Sequence, residues 1–269
     1  MSHNESLKNK TIVITRPLDT GVSLKSSIEQ TGGYVILFPT IKIVPTDNWE
    51  TCDSAITDLE QFNWIVFSSQ NSAHFFLERL MFHRKKIGIQ RIGVIGEKTA
   101  QYLLSRKLSV NLIPGIYSAS GFLAEISRLN LEKNKFLLPS SNIARHELED
   151  GLSEMGHKVL SVEVYKTMTN YEVDTVSLKR KLRANGVDCI TFYSPSAFTS
   201  FLDLMDSETL QHIKQTKLAL ASIGKTTTAA IEGQGYTVHI CADKSTDEWM
   251  MEALKKYFGK EDDNHVTLS

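Results

Sequence analysis

The chain has 269 residues, 41% of them apolar and 23% charged, with a formal charge of −1. This is ordinary globular composition with enough apolar material for two modest cores. The near-neutral balance, with no basic block longer than Arg84-Lys85-Lys86, disfavours nucleic acid as a principal partner, and no apolar run approaches the length of a membrane span.

Taken in chain order, residues 1–10 are polar and lack an apolar h-region, so no secretory signal is expected. Lys8-Asn9-Lys10 then leads into the apolar run Thr11-Ile12-Val13-Ile14-Thr15, which predicts a strand. Leu24 and Ile28 lie at helical spacing, and Gly32 ends that segment. Residues 34–46 read as extended and apolar, longer than a core strand needs. A second strand is predicted over Asn63-Trp64-Ile65-Val66-Phe67-Ser68-Ser69, followed by a helix carrying Phe76-Leu77 and closed by Arg84-Lys85-Lys86 facing water. Arg91-Ile92-Gly93-Val94-Ile95-Gly96 is the next strand and turn, with Thr99 beyond it.

From residue 133 the pattern starts again. Lys133-Asn134-Lys135 precedes Phe136-Leu137-Leu138-Pro139, and Leu148, Leu152, Gly156 and Val159 repeat Leu24, Ile28, Gly32 and Val35. Residues 158–167 form a second long extended segment. Asp188-Cys189-Ile190-Thr191-Phe192-Tyr193-Ser194 matches 63–69, with Phe201-Leu202 in the helix that follows. Leu218-Ala219-Leu220-Ala221-Ser222-Ile223-Gly224 with Thr227 matches the run ending at Gly96 and Thr99. The offset stays at about 125 residues through four blocks in the same order, which marks a duplicated architecture. Residues 259–269 are polar and acidic and are expected to fray.

Each block reads as strand, turn, helix. That alternation predicts an α/β fold of two similar lobes, each a parallel sheet flanked by helices. In such sheets ligands bind beyond the carboxyl ends of the strands, which here are the repeated Ser/Thr/Gly turns. The two long extended segments predict a pair of linker strands between the lobes.

Several motifs point elsewhere and fail on spacing. Gly224-Lys225-Thr226 resembles the end of a phosphate-binding loop, but the residues before it read as the strand itself, and its repeat copy Gly96-Glu97-Lys98-Thr99 has no such run. No GxGxxG opens a helix, which weakens a dinucleotide reading. The eight histidines are scattered, and His146-Glu147 lacks a second histidine one helical turn on, so no metal site is expected. The three cysteines, Cys52, Cys189 and Cys241, form no CxxC pair; Cys189 reads as a buried thiol, and the set implies a reducing cytoplasm. No GxSxG elbow surrounds Ser68-Ser69 or Ser194, so these serines read as helix N-caps whose hydroxyls, with nearby amides, meet a ligand.

An ordered set of local signatures resembles the uroporphyrinogen-III synthase family. These are Val13-Ile14-Thr15-Arg16-Pro17, Val66-Phe67-Ser68-Ser69-x-Asn71, Ile95-Gly96-x-x-Thr99-Ala100 and Ala144-Arg145-x-x-Leu148. They continue with Val164-Tyr165-x-Thr167, Ile190-Thr191-Phe192-x-Ser194-Pro195-Ser196 and Ile223-Gly224-x-x-Thr227, so that the set spans nearly the whole chain. No one of them is specific; their order is.

The resemblance implies a lobe swap, with 1–33 and 168–258 in lobe 1, 47–157 in lobe 2, antiparallel linker strands 34–46 and 158–167, a flexible tail 259–269, and an active site in the cleft between lobes. It implies cyclisation of the linear tetrapyrrole hydroxymethylbilane to uroporphyrinogen III, with loss of water and inversion of ring D, in haem biosynthesis. The expected substrate-binding residues are Arg16, Ser68, Ser69, Asn71, Gly96, Thr99, Arg145, Ser194, Ser196, Gly224 and Thr227. Tyr165 is the candidate proton donor, because a phenol stays protonated at neutral pH and can assist hydroxyl departure. No cofactor or metal is expected, the protein is expected to be monomeric and cytoplasmic, and a transient contact with the preceding pathway enzyme is the one protein partner suggested. The rival reading is a non-catalytic two-lobe binding protein for a small anion. Turnover separates the two.

Overall fold

The computed structural model describes residues 6–16 and 18–266, and describes side chains over 6–16 and 23–259. The expectation for the extreme N-terminus, 1–5, the signature residue Pro17 and the last three residues of the tail lie outside the described residues.

The first elements are β1 (Thr11–Ile14), α1 (Leu18–Gln30), β2 (Tyr34–Leu37), β3 (Ile41–Pro45), α2 (Glu50–Thr57), β4 (Trp64–Phe67), α3 (Gln70–Phe82), β5 (Arg91–Val94), α4 (Glu97–Ser105) and α5 (Ala119–Arg128). They are followed by β6 (Lys135–Ser141), α6 (Glu147–Glu154), β7 (Lys158–Thr169), α7 (Thr175–Arg183), β8 (Cys189–Phe192), α8 (Pro195–Leu204), α9 (Ser207–Gln215), β9 (Ala219–Ser222), α10 (Lys225–Glu232), β10 (Ile240–Cys241) and α11 (Asp247–Val266). The segment from 259, expected as a tail, is therefore helical as far as Val266.

The chain divides into two compact units: Met1–Lys42 with Met168–Ser269, and Ile43–Thr167. The first contains a sheet in the order β10-β9-β8-β1-β2, all of whose pairings are parallel. The second sheet has the order β3-β7-β6-β4-β5, and its pairings from β7 to β5 are parallel. Aligning the two Lys-Asn-Lys segments places β1 on β6, β2 on β7, β8 on β4 and β9 on β5. Both sheets then have the same strand order, as the repeat requires. Even β10 has a counterpart in the bridge between Gly93 and Leu112.

Strand pleating explains why these short strands are apolar throughout. Alternate side chains leave opposite faces, and helices cover both. In β4, Ile65 and Phe67 pack with Ala73 and Phe76 of α3, whereas Trp64 and Val66 pack with Phe122 and Ile126 of α5. In β8, Ile190 and Phe192 join Phe198 and Phe201 of α8, while Cys189 faces the layer of Leu24 and Leu254. Cys189 is fully buried, as its strand setting implies, and burial pushes its thiol well up; burial does the same to Cys52, up to about 12.

The repeated glycines have a physical reason. Gly32 and Gly156 end α1 and α6 with φ of +84° and +83°, a region open to glycine at little cost. Each turn sends the chain into the strand beside the one it left. The two long extended segments are also accounted for. Residues 34–46 are two strands, not one: β2 is the edge of the first sheet, Phe38, Pro39 and Thr40 intervene, and β3 lies at the edge of the second. The first half of β7 pairs with β6 as a core strand. These segments are long because each includes a sheet strand before it continues.

Beside Gly156, buried His157 accepts a hydrogen bond at Nδ1 from the Asn134 amide at 3.3 Å and packs on Phe136. Burial holds its imidazole below the ordinary value of 6.5. The unfolded chain takes up this proton at a higher pH than the folded one, so its stabilising contribution is complete above about pH 6.5 and is lost as pH falls toward the depressed folded value. We expect melting temperature to fall over that window more steeply in the wild type than in His157→Gln. Parallel slopes for the two proteins would sink this assignment.

Candidate functional site

Four helices begin where strands end, two in each unit, and their caps differ in kind. In the second unit, Ser69 follows β4 and caps α3; its Oγ accepts the Ser72 amide at 3.1 Å, and the Ser72 side chain completes a capping box. In the first unit, Ser194 caps α8 in the same way, accepting the Ala197 amide at 3.1 Å, with Ser196 Oγ 2.9 Å from Ser194 Oγ. The other two helices, α4 and α10, are capped by Gly96 and Gly224, with no side-chain cap.

This difference matters for an anionic ligand. A helix N-terminus presents amides without intrahelical partners, carrying partial positive charge. At α3 and α8 a serine hydroxyl already occupies one of them. At α4 and α10 the glycine carbonyl takes the corresponding amide instead, Thr99 to Gly96 at 3.2 Å and Thr227 to Gly224 at 3.0 Å, so the amides without a side-chain cap are those of Glu97 and Lys98 and of Lys225 and Thr226. The Gly96 position has nothing within 4 Å of where a Cβ would lie. The two open helix ends are repeat equivalents, each at the carboxyl edge of its own sheet.

Most of the expected residues lie in or next to the first turns of these helices. Ser68 and Asn71 are exposed and Ser69 half-buried at the start of α3; Ser194 and Ser196 are half-buried at the start of α8. Thr99 and Thr227 lie in the first turns of α4 and α10, but both are buried, at 5% and 3% exposure. Their side chains face inward, and their amides donate to the carbonyls of Gly96 and Gly224, so both residues support the turn. Arg145 is exposed in the turn between β6 and α6, ahead of the helix it was expected to open. Arg16, just past β1, is already engaged. Its guanidinium donates to Asp247 and lies 4.3 Å from the centroid of the Tyr193 ring.

Tyr165 is brought to Ser69. Its hydroxyl lies 3.3 Å from Ser69 Oγ, and its ring stacks on Phe75 of α3, with centroids 5.7 Å apart and planes at 16°. A register irregularity in the β6–β7 pairing makes this possible. Ser140 pairs with Glu163, whereas the next residue, Ser141, pairs with Tyr165. Strict alternation would send Val164 and Tyr165 to opposite faces. The extra residue lets both join the same cluster, much as a bulge re-aims a side chain. The Asn142 amide donates to the Tyr165 carbonyl at 3.2 Å, and Asn142 Oδ1 accepts the Thr167 amide at 2.9 Å, fixing the strand on both sides of the phenol.

Sequence reasoning missed Phe75, Asn142, Tyr193 and Asp247. None carries a local signal, since each contacts a candidate residue or its strand only through the fold. The strand reading of the residues before Gly224 agrees with β9, so Lys225 and Thr226 open a helix with no phosphate loop before it. Among the described residues no cluster of three or more His, Cys, Asp or Glu side chains is placed to hold a metal ion. Among the same residues no helix is long and apolar enough to cross a membrane.

Comparison with known proteins places this architecture. The family model described as uroporphyrinogen-III synthase HemD matches residues 22–252. A uroporphyrinogen-III synthase of Chlorobaculum parvum is 29% identical over 254 residues, covering 91% of this chain and all of that protein. A putative uroporphyrinogen-III synthase of Methanocaldococcus jannaschii is 28% identical over 246 residues, covering 91% of this chain and 97% of its own. In fold, the chain is similar to a mutant uroporphyrinogen III synthase of the extremely thermophilic bacterium Thermus thermophilus, with a TM-score of 0.67 at 16% identity, covering 93% of this chain and 99% of that one. It is also similar to the uroporphyrinogen-III synthetase of Helicobacter pylori, with a TM-score of 0.59 at 19% identity, covering 90% and 97%. The family match runs through both units and takes in most of the signatures first read from the sequence, and the chain therefore belongs to the uroporphyrinogen-III synthase family.

Proposed function

We infer that this chain is a uroporphyrinogen-III synthase, cyclising hydroxymethylbilane to uroporphyrinogen III with loss of water and inversion of ring D. Family membership carries the reaction. The assignment of the site rests on one structural observation: each unit repeats a glycine-capped helix whose first two amides carry no side-chain cap, suited to a substrate that bears carboxylates on every ring.

The chemistry asks little of the protein. Protonation of the terminal hydroxyl lets the pyrrole nitrogen expel water and leaves an electrophilic azafulvene. Attack through the substituted carbon of the far pyrrole gives a spiro intermediate, which fragments and recloses with that ring inverted. The net change is loss of one water, with no electrons gained or lost, so the step calls for no redox partner. One proton is consumed as water leaves and one is released as the last ring regains aromaticity. A single phenol can supply the first and recover the second. We assign that role to Tyr165, with Ser69 as the hydroxyl that hydrogen-bonds it.

The harder task is regiochemical, because unassisted closure joins the nearer, unsubstituted carbon. Holding the chain by its carboxylates is catalysis by orientation. In this reading the starts of α4 and α10 are carboxylate-binding positions, one in each unit, and Ser68, Asn71, Ser194, Ser196 and Arg145 are further substrate-binding residues. The chain crosses between units only at 42/43 and 167/168, and we take β3 with the second half of β7 as the two-stranded linker. The functional partner is the small tetrapyrrole substrate; contact with the enzyme that makes it and a monomeric state belong to the same reading.

The test is turnover by chelator-treated protein. We expect consumption of hydroxymethylbilane above the spontaneous rate, unchanged by the chelator. Activity lost on chelation and restored by a metal ion would contradict the cofactor-free account. Binding without consumption would favour the two-lobe anion-binding protein.

A further inference from the structure

The side chain that sequence reasoning assigned to the substrate, Arg16, is held by a partner 231 residues away. Arg16 leaves the end of β1, and Asp247 opens α11 just after β10. In the first sheet β8 and β9 lie between those two strands. The Arg16 side chain reaches along the carboxyl edge of the sheet, its guanidinium passing 4.3 Å from the centroid of Tyr193, the residue that follows β8. It ends with Nη1 donating to Asp247 Oδ1. Both side chains are largely covered, at 21% and 18% exposure. Ser194 and Gly224, which cap α8 and α10, stand at the same edge of the same sheet.

A guanidinium has five N–H donors in a fixed plane. Asp247 engages it through one nitrogen, and among the described residues no other hydrogen bond from the Arg16 guanidinium is made. The ring below fixes the plane and the carboxylate fixes one corner. What remains is an oriented edge of donors at the carboxyl edge of the first sheet, a geometry suited to paired N–H bonds to a carboxylate. An unclamped arginine would lose its rotamer freedom on binding; a clamped one has already lost it.

The geometry points to Asp247 as a positioning residue for substrate recognition: it holds Arg16 across the carboxyl edge of the first sheet so that the free guanidinium edge binds a substrate carboxylate. This rests on the synthase reading, and the experiment separates the two. Wild type, Asp247→Ala, Asp247→Asn, Arg16→Ala and the double variant Arg16→Ala/Asp247→Ala are compared for kcat and KM with hydroxymethylbilane, alongside thermal melting. Asp247→Ser, which suits the first turn of a helix but is too short to reach Arg16, covers the case in which alanine unfolds the chain. An inactive wild type would refute the synthase reading itself.

With an active wild type, we expect Asp247→Ala to raise KM about 5- to 10-fold with kcat within about twofold, the range expected for one immobilised side chain. Asp247→Asn, which keeps an acceptor at the same place, should recover most of that loss. The double variant should be no worse than Arg16→Ala, because Asp247 acts through Arg16. An unchanged KM with a lowered melting temperature would make the pair a structural strut and overturn the proposal. A KM that falls in Asp247→Ala would overturn it too, since Asp247 would then be competing with substrate for Arg16.

Discussion

Tyr165→Phe is expected to slow single-turnover closure of hydroxymethylbilane on the order of 10²-fold or more while leaving product binding and melting temperature nearly unchanged. The substitution removes only the phenol oxygen. The ring keeps its stack on Phe75 and its place in the cluster with Val162 and Val164. What disappears is the hydroxyl that Ser69 meets at 3.3 Å and, in the proposed mechanism, the proton that lets water leave. Tyr165→Ala is the control for packing. It empties a site that is 9% exposed and should destabilise the second unit by roughly 3 kcal/mol or more. A wild-type rate in Tyr165→Phe with normal melting would remove Tyr165 from the chemistry and leave orientation by amides as the whole account.

The second large effect runs opposite to ordinary intuition about capping. Gly96→Asp should hold or slightly raise stability while raising KM for hydroxymethylbilane about 10-fold or more. Aspartate is a favourable N-cap, worth a few tenths of a kcal/mol over glycine. The Gly96 backbone is extended, at φ −146° and ψ 158°, and a Cβ meets nothing within 4 Å. In the proposed reading the new carboxylate would compete with the substrate for the uncapped amides of Glu97 and Lys98 and repel the substrate's own charge. Losing one charge-assisted hydrogen bond of about 1.5–3 kcal/mol corresponds to that change in KM. Gly224→Asp should act alike in the first unit, with a smaller gain in stability because a Cβ there would stand 3.2 Å from Ser245 Oγ. An unaltered KM in both variants, measured with intact folding, would show that the glycine-capped helices do not hold the carboxylates.

Much of this was legible before any coordinates. The strands announce themselves as four- or five-residue apolar runs because both of their faces are buried. The duplication is legible because the same physical constraints recur: an apolar strand, a turn that needs positive φ at Gly32 and Gly156, a helix that needs a cap at Ser69 and Ser194. A single sequence could not reveal which donors are already used. Ser69 spends its hydroxyl on its own helix at the Ser72 amide, whereas at Gly96 the main-chain carbonyl takes the corresponding Thr99 amide and no side chain caps the turn. Thr99 and Thr227 carried the motif but are buried, because a first-turn position facing the sheet is covered by it. Tyr165 was found by resemblance, whereas the register shift that turns it toward Ser69 has no signature in composition or spacing. The link from Arg16 to Asp247 joins the start of the chain to its last helix, and only the sheet order brings them together.

The central claim is that this chain directs regiochemistry, and the isomer formed in a single turnover tests it most directly. Hydroxymethylbilane should be mixed with a molar excess of chelator-treated protein, quenched before spontaneous closure becomes appreciable, and the products oxidised and resolved as type I and type III. The account predicts that type III, with ring D inverted, dominates with wild-type protein and that type I dominates when protein is omitted. A predominance of type I at an accelerated rate would contradict it, since the chain would then hasten closure without orienting the ring that must invert.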